Sequence, residues 1–139
     1  MPSAPTECRL DIRVRYAEVD RMGALHHSRY WVYFEMGRTE LLRAAGVSYR
    51  DLEAAGVFFV VARCWAKYHS PAAYDELLTL TTRITNFGQA KIDHEYELRG
   101  PDGRLIATAA TTLACVDRSG QVIPIPDSIR GPQTPDTGR

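Results

Sequence analysis

The chain is predicted to adopt an α+β fold in which an antiparallel sheet wraps around one long central helix. Three observations predict it. Apolar and polar residues alternate with the period of two expected of strands in most of the chain. A single stretch, from Ser28 to about Ala45, instead repeats its apolar residues at spacings of three and four. That stretch carries apolar residues on more than one side, so it needs apolar surface around it, and only the strands can supply that.

The elements follow in order. From Cys8 to Tyr16 the residues Cys8, Leu10, Ile12, Val14 and Tyr16 alternate with Arg9, Asp11, Arg13 and Arg15, the pattern of a half-buried strand. A loop through Gly23 leads to Ser28, a suitable helix N-cap. Tyr30, Phe34, Gly37, Leu41 and Ala45 then share one helix face, and Trp31, Met36 and Leu42 widen it. Gly37 costs about 1 kcal/mol relative to Ala in a helix interior, which points to close approach of the sheet. Gly46 ends the helix, and Ser48 opens a short second one that closes at Gly56.

Four strands follow. Val57 to His69 places Phe58, Val60, Ala62, Cys64, Ala66 and Tyr68 on one face and Val57, Phe59, Val61 and Trp65 on the other. Leu77 to Phe87 is rich in Thr, Leu and Ile, and Ala90 to Arg99 alternates Ile92, His94, Tyr96 and Leu98 with charged residues. Pro101-Asp102-Gly103 is a hairpin turn into Arg104 to Asp117. The segment from Pro124 is rich in proline and is expected to fray. One domain over residues 1–129 is expected, with 130–139 as a flexible tail.

A length of 139 residues with 45% hydrophobic content suffices for one full core. Lys+Arg and Asp+Glu are 17 each, a net charge of zero that argues against nucleic-acid or membrane-surface binding. No apolar run reaches the ~20 residues of a membrane span. The opening MPSAPTECRLDIR lacks the apolar segment of a signal peptide, so a cytoplasmic protein is expected. Cys8, Cys64 and Cys115 are too far apart for a disulfide framework or zinc pattern and read as small buried residues. Val57, Phe59, Val61 and Trp65, turned away from the core, predict a homo-oligomer with edge-paired sheets.

The chemistry concentrates between Val14 and Arg43. Asp20 lies in the loop, and His26 and His27 lie at the helix start. Backbone N–H groups at a helix start lack intrahelical partners and carry partial positive charge. An acid beside such an end suits attack on a carbonyl, with negative charge developing on its oxygen. Taken alone, without the surrounding motif, Asp20 reads first as a turn former or cap. His94, on an apolar strand face, reads as a satisfied core histidine, and Glu35 and Arg38 as an ion pair on one helix face. No pair among the four histidines has metal-ligand spacing on one element, so no metal site is expected.

Tyr16, Glu18, Asp20, Gly23, Ala24-Leu25, His27 and Tyr30 stand at the spacing of a known signature, and Phe34-Glu35 and Arg38-Thr39-Glu40 resemble the helix that follows it. The chain resembles the hotdog-fold acyl-CoA thioesterases, in the group of 4-hydroxybenzoyl-CoA thioesterase and the Tol–Pal-associated acyl-CoA thioesterases. The resemblance runs roughly to Ile129. Val19, His26 and Ser28-Arg29 depart from it, at positions that line the pocket rather than at the acid.

The resemblance implies hydrolysis of acyl-CoA thioesters, with coenzyme A as part of the substrate and no separate cofactor. Asp20 is then the general base or the nucleophile, and the His27 backbone N–H faces the thioester carbonyl, with its imidazole orienting water or substrate. Tyr30 and Gly23 fall at substrate-binding positions, and Lys67 and Arg63, sharing a strand face, can meet coenzyme A phosphates or remain solvated charges. The family forms dimers and tetramers. Three alternatives stay open: action on acyl chains bound to a carrier protein, a non-catalytic acyl-CoA or acyl-carrier-protein binding module, and Glu35 as the acid. A dehydratase or hydratase of the same fold, with an Asp–His pair on a different element or a His-Phe-Pro-Gly loop, fits less well, because the Asp20-to-His27 spacing and the Gly23-Ala24-Leu25 between them do not match.

Overall fold

The computed structural model describes residues 6–130. Positions 131–139, almost all of the expected tail, lie outside the described residues. Five strands form one antiparallel sheet: β1 (Glu7–Arg13), β2 (Phe58–Tyr68), β3 (Leu77–Phe87), β4 (Lys91–Arg99) and β5 (Leu105–Val116), in the order β1-β3-β4-β5-β2. The long helix α1 (His27–Ala44) packs on the sheet, mainly over β1 and β3. A short helix α2 (Tyr49–Ala54), capped by the Ser48 hydroxyl, and a last turn α3 (Asp127–Arg130) complete the fold. The expected order of one strand, one long helix and four strands is present.

Two apolar clusters hold the helices to the sheet. The larger joins Tyr30, Tyr33 and Phe34 of the helix to Ile12, Leu78, Leu80, Leu98 and Ile106. The second joins Leu52 of α2 to Ile92, Cys115, Ile125 and Ile129. Gly37 is where helix and sheet come closest: a methyl group there would overlap the Thr82 side chain and the Leu80 Cδ2. The sheet can approach only because no Cβ intervenes.

Several local expectations are corrected. β1 ends at Arg13, and Tyr16 begins a single 3-10 turn (Tyr16–Glu18), where its ring is exposed and meets Tyr74 edge-on at 5.5 Å. Met36 is exposed rather than part of the buried stripe. The cysteines are not uniformly buried: Cys115 is, Cys8 is half-buried and Cys64 is exposed. Pro124 to Ile129 does not fray, because Ile125 and Ile129 close the second cluster.

The faces of β2 are also redrawn. Phe59 and Val61 pair with Cys115 and Leu113, while Cys64, Ala66 and Tyr68 pair with Thr111, Ala109 and Ala107, with a bulge between Val61 and Arg63. Directly opposed residues share a face. Phe59 and Val61 therefore lie on the helix side together with Cys64, Ala66 and Tyr68, and Phe58, Val60, Arg63, Trp65 and Lys67 lie on the other. The extra residue shifts the alternation by one, so the regular period read from the sequence fails at this point. Val57 and Phe59 pack against the second cluster.

Candidate active site

The chain leaves β1 and folds residues 19–25 into a small hairpin. Val19 bridges Leu25, and the Asp20 N–H donates to the Ala24 carbonyl at 2.8 Å. Asp20 Oδ1 accepts from the N–H groups of Met22 (2.9 Å) and Ala24 (3.2 Å). Asp20 is thus a turn former after all, but with one oxygen only. Oδ2 makes no hydrogen bond among the described residues, and the residue is exposed. Gly23 closes the turn at φ +80°, a conformation that favours glycine.

A buried carboxylate anchors this hairpin. Glu18 is 2% exposed and takes hydrogen bonds from the Arg15 N–H (2.8 Å), the Arg15 guanidinium (3.1 Å) and the Tyr33 hydroxyl (2.8 Å). Burial alone would raise its pKa, but these donors hold it below the ordinary glutamate value. The Glu18 carbonyl also accepts from the His26 N–H at 2.9 Å, tying the hairpin to the helix start. The sequence shows Glu18 as one member of a motif and gives no sign of this burial.

His26, not Ser28, is the N-cap of α1. Its Nδ1 accepts from the Ser28 N–H at 3.2 Å, and its carbonyl takes the Arg29 N–H at 2.9 Å. The imidazole therefore occupies the place expected of the serine hydroxyl. His27 is the first helical residue, and its ring lies 4.3 Å from that of His26. Its backbone N–H makes no hydrogen bond among the described residues. The helix supplies no acceptor at this position, and the cap serves the next residue instead.

His27 and Tyr30 line one pocket of about 330 Å³ with Leu25, Tyr68, His69, Ser70 and Pro71. Tyr30 is buried and meets Tyr68 edge-on at 4.8 Å. Burial, and then Tyr68, push the Tyr30 phenol above its ordinary pKa, so it stays protonated. Asp20 and Gly23 lie on the hairpin that leads into this helix start. Arg63 and Lys67 are elsewhere: both are on the sheet face away from the helix, and Arg63 lines a separate cavity of about 400 Å³ with Trp65, Asp93, Glu95 and Thr112. Lys67 lines neither cavity. His69, which the sequence does not mark as a site residue, is in the His27 pocket, its Nε2 3.1 Å from the Thr108 hydroxyl. Only its position next to Tyr68, at the end of an edge strand, could have signalled it.

Two side chains behave differently from expectation. Glu35 and Arg38 form no ion pair: Arg38 turns inward to the Tyr96 hydroxyl at 3.1 Å. His94 is buried but not satisfied, since its Nδ1 has no partner among the described residues. Burial, then the Arg38 charge, push its pKa down to about 3, so it is neutral.

Comparison with known proteins gives the family. Residues 14–132 match the model of the thioesterase-like superfamily. The chain is 36% identical over 108 residues to the putative acyl-CoA thioesterase YneP of Bacillus subtilis, covering 78% of each. It is 31% identical over 109 residues to the acyl-CoA thioester hydrolase YbgC of Escherichia coli, covering 78% of this chain and 81% of that one. Among solved structures, the DHNA-CoA thioesterase of Staphylococcus aureus superposes with a TM-score of 0.82 at 28% identity, over 85% of this chain and 80% of that one. The chain belongs to the thioesterase-like superfamily: its fold is the hotdog fold, and its class of chemistry is thioester hydrolysis.

Proposed function

We propose that the protein hydrolyses acyl-CoA thioesters to the free acid and coenzyme A at the start of α1. The observation that carries this reading is the unpartnered His27 N–H. It stands at the positive end of an 18-residue helix, on the wall of the Tyr30 pocket, seven residues after Asp20. The thioester carbonyl accepts from this N–H, which strengthens as the oxygen becomes negative in the tetrahedral intermediate. Asp20 Oδ2, unengaged while Oδ1 holds the turn, takes the proton from an attacking water. Alternatively it attacks the carbonyl carbon itself, giving an anhydride that water then opens. In either course the carbon–sulfur bond breaks as the intermediate collapses, and the thiolate leaves.

Tyr30 and Gly23 shape the acyl end. Arg63 and Lys67, placed on the far face of the sheet, are solvated charges for a substrate bound to one protomer. The steps need no metal or redox cofactor. The three free cysteines suit a reducing cytoplasm, where acyl-CoA is made. Among the described residues no helix is long and apolar enough to cross a membrane.

The protein is further inferred to work as a homo-oligomer. β2 is an edge strand, and Val60, Val61, Trp65 and Tyr68 along it are 46–51% exposed. Such a strand invites pairing with a second copy, and Tyr68 carries that interface to the His27 pocket. The reading is tested by free-thiol release from a panel of short, long and aromatic acyl-CoAs, run beside the same acyl groups on a carrier protein. Turnover of at least one acyl-CoA is expected. Binding of every member without thiol release would make the protein a binding module instead, and turnover restricted to the carrier-bound forms would change the substrate.

A further inference from the structure

Arg38 is a buried cation without a counter-charge. It is 9% exposed, and no carboxylate among the described residues lies within ion-pair distance. Its hydrogen-bond partners are phenols, the Tyr96 hydroxyl, which shares a 2.7 Å bond with Thr111, and the Tyr49 hydroxyl, and its Nε has none. Leaving a guanidinium in this state is strongly unfavourable. One helical turn before it, Glu35 is exposed, and its carboxylate has no partner among the described residues. Both residues influence the Tyr49 phenol in opposite directions, so they lie near the same group.

Their place on the helix shows where the counter-charge comes from. The opposite flank of α1 rests on β1, where Cys8 Sγ contacts the Gly37 carbonyl. Glu35 and Arg38 lie on the other flank. From Arg38 the contacts run to Tyr96 on β4, to Thr111 on β5, and to Cys64, the exposed residue opposite Thr111 on edge strand β2. This flank therefore looks towards the open edge of the sheet, along which a second copy would pair. Across a two-fold axis each contact occurs twice with roles exchanged. A chain that brings both an unpaired acid and an unpaired base to that side can satisfy both at once.

We propose that Glu35 of one copy pairs with Arg38 of a second copy, reciprocally, across a two-fold axis beside β2. The inference rests on the homo-oligomer reading and names the charges that complete it. An interface of this kind is self-selecting, because each copy supplies what the other lacks.

Charge exchange tests it. Glu35→Arg places two cations at the pair, and Arg38→Glu places two anions, so each variant alone should dimerise at least tenfold more weakly than wild type. Mixed, the two should form a heterodimer preferred at least tenfold over either homodimer, measured by native mass spectrometry with one variant isotope-labelled. A pair made within one helix would show no such recovery on mixing. If Arg38→Glu fails to fold, Glu35→Gln at its exposed position decides the matter, with a tenfold or greater rise in dimer dissociation constant expected. Homodimers of wild-type affinity, an unbiased mixture, or an unaffected Glu35→Gln protein would overturn the proposal while leaving the oligomer. A monomeric wild type at micromolar concentration would overturn both.

Discussion

The Tyr33 hydroxyl donates to Glu18 Oε1 across 2.8 Å, and this single bond joins the hairpin that holds Asp20 to the body of the central helix. Both groups are almost fully buried. Removing the donor leaves one oxygen of a buried carboxylate poorly satisfied, at a cost of about 1–3 kcal/mol. Tyr33→Phe should therefore lower the melting temperature by several degrees and also reduce kcat, because the hairpin loses its anchor. A melting curve and turnover indistinguishable from wild type would show that Arg15 alone holds Glu18.

Asp20→Asn should keep the fold, since the amide oxygen can still accept from the Met22 and Ala24 N–H groups. It should lose ~10²–10⁴-fold in turnover, the range for a positioned general base. Thiol release at the wild-type rate from a folded variant would remove Asp20 from the mechanism.

His27→Ala separates the main chain from the ring. Alanine supplies the same N–H at the helix start, so a silent change would confine the role of His27 to its backbone. A loss of tenfold or more at saturating substrate is expected, equivalent to ~1.4 kcal/mol in the barrier. The reason is that the imidazole lines the same pocket as Tyr30.

His94 makes a pH prediction with a definite sign. Its folded pKa, about 3, is below its ordinary value of 6.5, so the unfolded chain binds the proton more readily. The folded state is favoured fully above pH 6.5 and loses stability as the pH falls from there towards 3, at about 1.4 kcal/mol per pH unit from this one group. Denaturant titrations at several pH values should show this slope, and His94→Gln should flatten it. An equally steep decline in the variant would assign it to other groups.

Gly37→Ala should destabilise by about 1–3 kcal/mol through overpacking, because the new methyl overlaps Thr82 and Leu80. Chemical denaturation would measure it, and a variant as stable as wild type would mean that helix and sheet separate freely here.

The architecture was legible because two periodicities are written plainly into the chain. Leu10 and Ile12, or Tyr96 and Leu98, show a half-buried strand directly, and Tyr30, Phe34, Gly37 and Leu41 show a buried helix face. The misreadings have particular physical causes. Ser28 has the better capping side chain, but the helix begins two residues earlier than that cap would place it, and a histidine ring serves. Pro124 to Ile129 looked too rich in proline to be ordered, yet Ile125 and Ile129 suffice to hold it. Glu35 and Arg38 have the spacing of a pair, but the guanidinium finds a hydroxyl inside. The Asp20 hairpin and the helix start were legible as motif and spacing. The approach of Tyr68 and His69 to them was not, because it depends on how a distant strand ends.

The bulge at Ala62 makes β2 a strand whose inside and outside trade places halfway along. The helix side passes from odd-numbered to even-numbered residues there, and Ala62 is the one residue without a place in the ladder. Losing Ala62 would join Val61 directly to Arg63, which already pair with successive residues of β5, Leu113 and Thr112, and would leave every other side chain of the strand on its present face. Ala62 is thus a spare position: a β2 shortened there keeps both the aromatic wall of the His27 pocket and its side of the second apolar cluster, whereas one further residue would need a second bulge.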